Sequence, residues 1–260
     1  MRRFLIAFII LSFIVAQSIQ AQKIVLHLEG NRKAEYSVEQ LDSITFEEDD
    51  IKGHEWVDLG LPSGTLWATC NVGANTPEEF GDYFAWGETK PKEIYSWATY
   101  IHCNGSENTI TKYCTDSKNG YNGITDNIKD LLPEDDAATV NWGSGWQIPS
   151  DVQRDELIHY TTHTWITQNG VMGMIFTSTI NGKRVFFPAA GVRNNSSLDD
   201  ESTYGHYWTR TLGHGVDPKA RRMYFNSTQL DTGGNYRYRF YGESIRPVRV
   251  QKSVLVNNKY

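Results

Sequence analysis

The chain opens with an unbroken apolar run, residues 4–16, behind Arg2 and Arg3. That run is shorter than the roughly 20 residues a membrane-crossing helix needs, and a basic start followed by a short apolar stretch is the pattern of a secretory signal. A small residue, Ala21, ends the polar stretch that follows, so residues 1–21 are expected to be removed. Residues 22–48 alternate apolar and polar positions around "EGNRK", which predicts a small β segment, a hairpin with a third short strand near "SITF". Residues 49–54 are polar and acidic and read as a linker, residues 55–250 as the main domain, and residues 251–260 as a tail.

In the main domain Val57, Leu59 and Leu61 alternate, "PSG" supplies a turn, and Leu66, Ala68 and Cys70 alternate again. This predicts a hairpin with Cys70 facing the core. Residues 75–126 carry no sustained period, and an irregular stretch of that length suggests a functional loop or one restrained by a disulfide. In "LLPEDDAATVNWG", Pro133 suits a first helical position, Glu134, Asp135 and Asp136 complement the positive end of the helix dipole, and Gly143 can stop the helix. Ser150 and Gln153 have capping-box spacing, which predicts a helix over 151–160, with Trp142 and Trp146 wedging its start against a sheet. The last third returns to strands at "KRVFFPAAGVR", "GHYWTRT", "ARRMYFNST" and "YRYRFYGESIRPVRV".

Composition agrees with many short strands: aromatic residues make up 13% of the chain, with 22 glycines and 8 prolines. Removing residues 1–21 takes away two arginines and no acid, so 25 basic residues against 31 acidic become 23 against 31, a net of −8. An acidic chain without a long basic run argues against a polyanion partner such as nucleic acid. No later apolar stretch is long enough to span a bilayer, so no transmembrane segment is expected after signal cleavage. Of three cysteines, Cys103 and Cys114 flank a polar loop and are the better pair for a disulfide, three free thiols being the alternative.

The ordered set "WVDLGLPSGTLWATCNVG", "EEFGDYFAWGE", "EDDAATVNWGSGWQIPSDVQRDEL", "FFPAAGVR", "GHYWTRT" and "ESIRPVR" resembles the secreted Bacteroidetes proteins that carry the Fibrobacter succinogenes major paralogous domain. The resemblance covers residues 54–250 and implies an α+β, C-type-lectin-like fold of the formylglycine-generating-enzyme type. It implies short antiparallel strands, two short helices and long irregular loops, with "ESIRPVR" closing the domain near its start. Two departures bear on function. Gln147 stands where the family pattern has an arginine, which puts an ion pair there in doubt. The chain also has no cysteine after Cys114, where formylglycine-generating enzymes place their redox- and copper-active pair. The Glu-Pro-Asn, Gln-Pro-Asp and Trp-Asn-Asp tripeptides of calcium-dependent sugar binding are absent as well.

No catalytic residues are expected, since the chain lacks G-x-S-x-G, H-E-x-x-H and P-loop motifs. His159 and His163 are spaced i, i+4 at a helix end, but no third ligand stands at a recognised spacing, and a solvated helix end is the stronger reading. Asp135 and Asp136 are adjacent and belong to a first turn more readily than to an acid/base pair. No cofactor is expected. Calcium is a candidate at the oxygen-rich residues 194–202, which lack the spaced D-x-D-x-D-G pattern. On a strand "YRYRFY" turns Tyr236, Tyr238 and Phe240 one way and Arg237, Arg239 and Tyr241 the other. Arg237, Arg239 and Tyr241, with Arg210 and Asn226 from neighbouring strands, form the candidate ligand-binding set; a solvated face with arginine stems covering aromatic rings is the plain alternative. "DSI" resembles a Bacteroidetes O-glycosylation sequon, with Ser43 as acceptor. These features point to an exported binding module for a glycan or surface protein, with a structural or assembly component of the cell envelope as the second reading.

Overall fold

Alternation along the chain becomes antiparallel pairing in the computed structural model, which describes residues 23–28, 32–37, 53–215, 217–231 and 235–250. The chain divides into two units, the larger being Glu48–Lys252. In the smaller, β1 (Lys23–Leu28) pairs with β2 (Arg32–Ser37), Lys23 opposite Ser37 and Leu28 opposite Arg32. The expected third strand, the signal, Ser43 and the tail lie outside the described residues, as does most of the expected linker.

The larger unit is built mostly of antiparallel sheets, with two α-helices among the described residues. Its opening hairpin is β3 (Trp56–Asp58) and β4 (Thr65–Ala68), turned by the Gly64 N–H donating to the Leu61 carbonyl. The closing strand β13 (Val248–Val250) pairs with the free side of β4, Val248 opposite Trp67. Strand β4 therefore lies between two strands and is buried along its whole length. Arg246, at 1% exposure, fixes this closure by donating from Nε to Asn71 Oδ1 at 2.8 Å and from Nη1 to the Ala68 carbonyl at 3.1 Å. Cys70 is half-buried rather than a core residue, because alternation ends with β4 and the chain turns away after Ala68.

A three-stranded meander follows α2: β5 (Thr161–Gln168), β6 (Val171–Ser178) and β7 (Arg184–Pro188). Asn169 and Gly170 connect the first two with φ of 48° and 86°, the left-handed pair that matches strand twist in a tight hairpin. His163 lies on β5, opposite Phe176, so it shares no helix face with His159. Next come the hairpin β8 (Val192–Asn194) with β9 (Ser197–Asp199), and a third three-stranded sheet of β10 (Gly205–Leu212), β11 (Lys219–Phe225) and β12 (Tyr236–Tyr238).

The expected helix from Pro133 is split. Pro133–Asp135 is a 3-10 turn, and α1 (Ala137–Trp142) starts afresh with Asp136 as its cap, whose carboxylate accepts from the N–H groups of Thr139 and Ile148. Asp136 is 2% exposed, and burial pushes its carboxyl above the usual range despite those donors. Helix α2 (Asp151–His159) has the capping box of Ser150 and Gln153. Trp142 and Trp146 cross edge to face at 5.2 Å and join a core cluster with Trp86 and Trp208. Leu157 of α2 belongs to a second cluster, with Trp67, Phe176, Phe187 and Phe225.

Residues 75–132 have almost no regular structure, yet Phe84, Trp86, Tyr95, Tyr100, Ile110 and Tyr113 are each at most 3% exposed. Side chains satisfy the backbone that a ladder would otherwise satisfy. Asp126 accepts from the N–H groups of Tyr113, Cys114 and Ile128, and buried Asp217 from those of Thr115 and Asp116. The expected Cys103–Cys114 bridge is not formed, and all three cysteines are free thiols. Cys103 Sγ is turned to the carbonyl of Trp97, and Cys114 Sγ to that of Asp116 and to Asp217. Hydrogen bonds and aromatic burial do the restraining that a disulfide was expected to do.

Candidate binding face

The motif "YRYRFY" does not stay extended. Strand β12 ends at Tyr238, and the Tyr241 N–H donates back to the Tyr238 carbonyl, so the chain turns. The turn reverses Arg239. Instead of sharing an outer face with Arg237, Arg239 is fully buried, donates from Nη1 to the carbonyls of Lys112 and Tyr113, and lies over the rings of Trp86 and Tyr100 at 5.4 and 5.6 Å. It is a pin for the irregular segment and has no access to a ligand.

What the turn presents outward is aromatic. Tyr238 and Phe240 stack at 6.0 Å, and Phe240 and Tyr241 at 4.4 Å. Trp97, from a 3-10 turn in the irregular segment, meets Tyr238 and Phe240 edge to face at 5.7 and 5.0 Å. All four rings are half-buried, which leaves part of each to solvent. Two cations flank them: the Arg237 guanidinium 4.0 Å from the Tyr241 ring and Lys219 Nζ 4.9 Å from that of Tyr238. The expected pair Arg237 and Tyr241 is thus brought together. Trp97 and Lys219 were not legible from alternation; the tryptophan stands in an aperiodic stretch, and the lysine is placed by pairing with Tyr238.

Arg237 rests on a buried polar floor. Arg222 Nη1 donates to His206 Nδ1 at 2.6 Å and contacts Glu243 Oε1 at 3.0 Å. Accepting from a guanidinium assigns the ring proton of His206 to Nε2, which faces Asp200 Oδ2 at 3.4 Å. Burial, reinforced by Arg222 and Arg237, pushes the imidazole down to about 2, so it is neutral. Burial pushes Glu243 upward while the same two guanidinium groups oppose the shift. Tyr204 and Tyr224, stacked at 5.5 Å, lie beside the imidazole.

The remaining expected residues are occupied elsewhere. Arg210 Nη1 donates to Gln147 Oε1 at 2.8 Å, so this glutamine receives a hydrogen bond from a cation. Asn226 caps the turn after β11, its Oδ1 accepting from the N–H groups of Thr228 and Gln229. Both serve the scaffold because each sits where a strand bulges or ends, with unpaired groups nearby. Asp135 is bound by Lys112 and Tyr113 and shares no task with Asp136. Residues 194–202 cover the turn and second strand of the β8–β9 hairpin and the turn that follows, and Ser197 Oγ donates to the Asn194 carbonyl and to Asp199. Among the described residues no group of three or more His, Cys, Asp or Glu side chains could hold a metal ion, and no helix is long and apolar enough to cross a membrane.

No family model, curated protein or solved structure matches the chain; the family resemblance therefore rests on its sequence motifs.

Proposed function

We propose that the chain is an exported, non-enzymatic binding module with a C-type-lectin-like fold, which engages a glycan through the face made by Trp97, Tyr238, Phe240, Tyr241 and Arg237. The observation that carries this reading is the half-exposed set of four rings with a guanidinium stacked at its edge. Flat, rigid rings offer contact area at small entropic cost, and an arginine beside them adds directed donors for hydroxyl or carbonyl oxygens. The antiparallel, loop-rich architecture and the closing strand beside the opening hairpin support the lectin-like reading. A second reading, assembly at the cell surface through residues 22–48, is favoured by the hairpin forming a unit of its own.

The test is a broad glycan array probed with the chain lacking residues 1–21, with calcium and with chelator, beside Tyr241→Ala and Trp97→Ala. Binding to a defined set of glycans, weakened about tenfold or more by either substitution, is expected. Loss in chelator alone would bring calcium back as a cofactor at residues 194–202. Silence in both buffers, with the variants folded, would sink the glycan reading and leave assembly.

A further inference from the structure

Most sheet edges of the larger unit are protected against further pairing. Strands β3, β12 and β13 are three residues long, and Asp58, Arg237 and Arg249 put a charge on each. Strand β7 carries Pro188, which has no N–H to offer, and is buried from Val185 onward. Strand β10 bulges after Trp208, whose N–H donates to the Ser244 carbonyl. Short length, charge, proline and bulges all keep an unpaired row of N–H and C=O groups from templating another strand.

Strand β5 has none of these devices. It is eight residues long, pairs with β6 on one side and has no described strand on the other. Thr162, His163, Thr164 and Thr167 are exposed, and among the described residues the backbone of 162–168 bonds to nothing besides β6. The strand sequence, "TTHTWITQ", holds no proline. Residues 161–182 contain no Lys, Arg, Asp or Glu, in a chain that is 22% charged. Threonine, isoleucine and tryptophan are residues that favour strand pairing.

We propose that β5 pairs antiparallel with β5 of a second copy of this chain, about a twofold axis at Thr164. A row of open backbone groups is completed by a strand. On a chain of net charge −6 this uncharged strip is where two copies meet without a like-charge pair. Alternate residues of an edge point their N–H and C=O outward, and in a self-paired edge those residues must face one another. Paired positions therefore differ by an even number of residues, and the axis passes through one residue. Gln168 is tied to Glu78 at 2.8 Å, which leaves 161–167 as the run, centred on Thr164. Thr162 then faces Ile166 of the second copy, and His163 faces Trp165, cross-strand pairs of the stabilising kind. Trp165 also meets Phe225 edge to face at 6.4 Å, so its face of the strand is the core face, and the two cores lie on the same side of the joined sheet. That sheet runs β7-β6-β5-β5-β6-β7 and ends at two proline-bearing strands, so assembly closes at two copies.

The experiment is sedimentation equilibrium of the chain lacking residues 1–21. A reversible monomer–dimer equilibrium is expected between about 1 and about 300 µM. Thr164→Lys and Thr164→Glu each set like charges opposite one another at the axis and should weaken dimerisation about fivefold or more. An equal mixture of the two variants should regain it, because opposite charges then meet. Far-UV circular dichroism checks that both variants fold, as the exposure of Thr164 leads one to expect. A monomer at every concentration would overturn the proposal. A dimer that neither substitution weakens would overturn it by placing the interface elsewhere, and variants that stay monomeric when mixed would refute the axis at Thr164.

Discussion

The meander β5–β7 and the irregular residues 75–132 are both well packed, but they hold their backbones in different ways. The meander is a ladder: eight paired positions join β5 to β6, and the side chains it buries are mainly apolar, among them Met174, Phe176, Val185 and Phe187. The irregular segment has bridges in place of ladders, and it buries charge. Arg239, Asp217 and the half-buried carboxylate of Asp126 stand in for strand neighbours by reaching its carbonyls and N–H groups. A backbone without a ladder can be fixed by side chains, some from within the segment, such as Asp126, and some from elsewhere in the chain, such as Asp217 and Arg239. The aromatic face depends on the second method, since Trp97 belongs to the segment and Arg239 lies between Tyr238 and Phe240.

The largest test of this contrast is Phe187→Ala. The ring is fully buried against Trp67, Phe176 and Tyr207, and its loss is expected to cost about 4 kcal/mol of global stability. Urea unfolding followed by far-UV and tryptophan signals should show one transition moved as a whole. Arg239→Met comes next. It leaves the Lys112 and Tyr113 carbonyls unpaired at an expected cost of about 2–3 kcal/mol. Amide exchange should rise across residues 84–126 while β5–β7 keeps its protection; uniform loss over both regions would refute the distinction.

The smallest effect is in pH. Burial pushes His102, in the irregular segment, below its ordinary value against the opposing pull of the Gly87 carbonyl and Asp135. An imidazole that titrates lower when folded leaves the unfolded chain holding more protons below about 6.5. Its contribution is therefore present above that pH and lost as pH falls. His206 acts in the same sense, and Glu243 and Asp136, pushed upward, act in the opposite one nearer their own range. His102→Gln should flatten the fall in urea midpoint between about pH 7 and about pH 5, by at most about 1.4 kcal/mol per pH unit. An unchanged slope would mean that the segment's polar core does not titrate with folding.

Local chemistry made parts of this fold legible. Ser150 and Gln153 announce α2 because a capping box is a contact within one turn. Pro133 and Gly143 bracket a helical region, but the break at Asp136 depends on Ile148, twelve residues away, whose N–H its carboxylate also takes. Strands β5 and β6 were hidden by their mixed side chains, although Asn169-Gly170 is a strong hairpin signal. The candidate face was half legible. Arg237 and Tyr241 lie together for a different reason from the one alternation suggests, since the strand stops at Tyr238 and the turn brings them back. Arg239 escaped because period two holds only while the backbone is extended, and Trp97 because its place is set by distant packing.

The closure of β13 onto β4 also bears on how the unit can be carried by other chains. Its first strand, β3, and its last, β13, flank the same β4, so Trp56 and Val250 are separated by about 10 Å across the sheet and about 10 Å along it. A linker of about five residues spans that gap. The unit can be cut at an exposed turn and rejoined through its old ends, or inserted whole into a surface loop of an unrelated host, with little demand on the host's geometry. Sheet closure of this kind makes the larger unit a portable cassette.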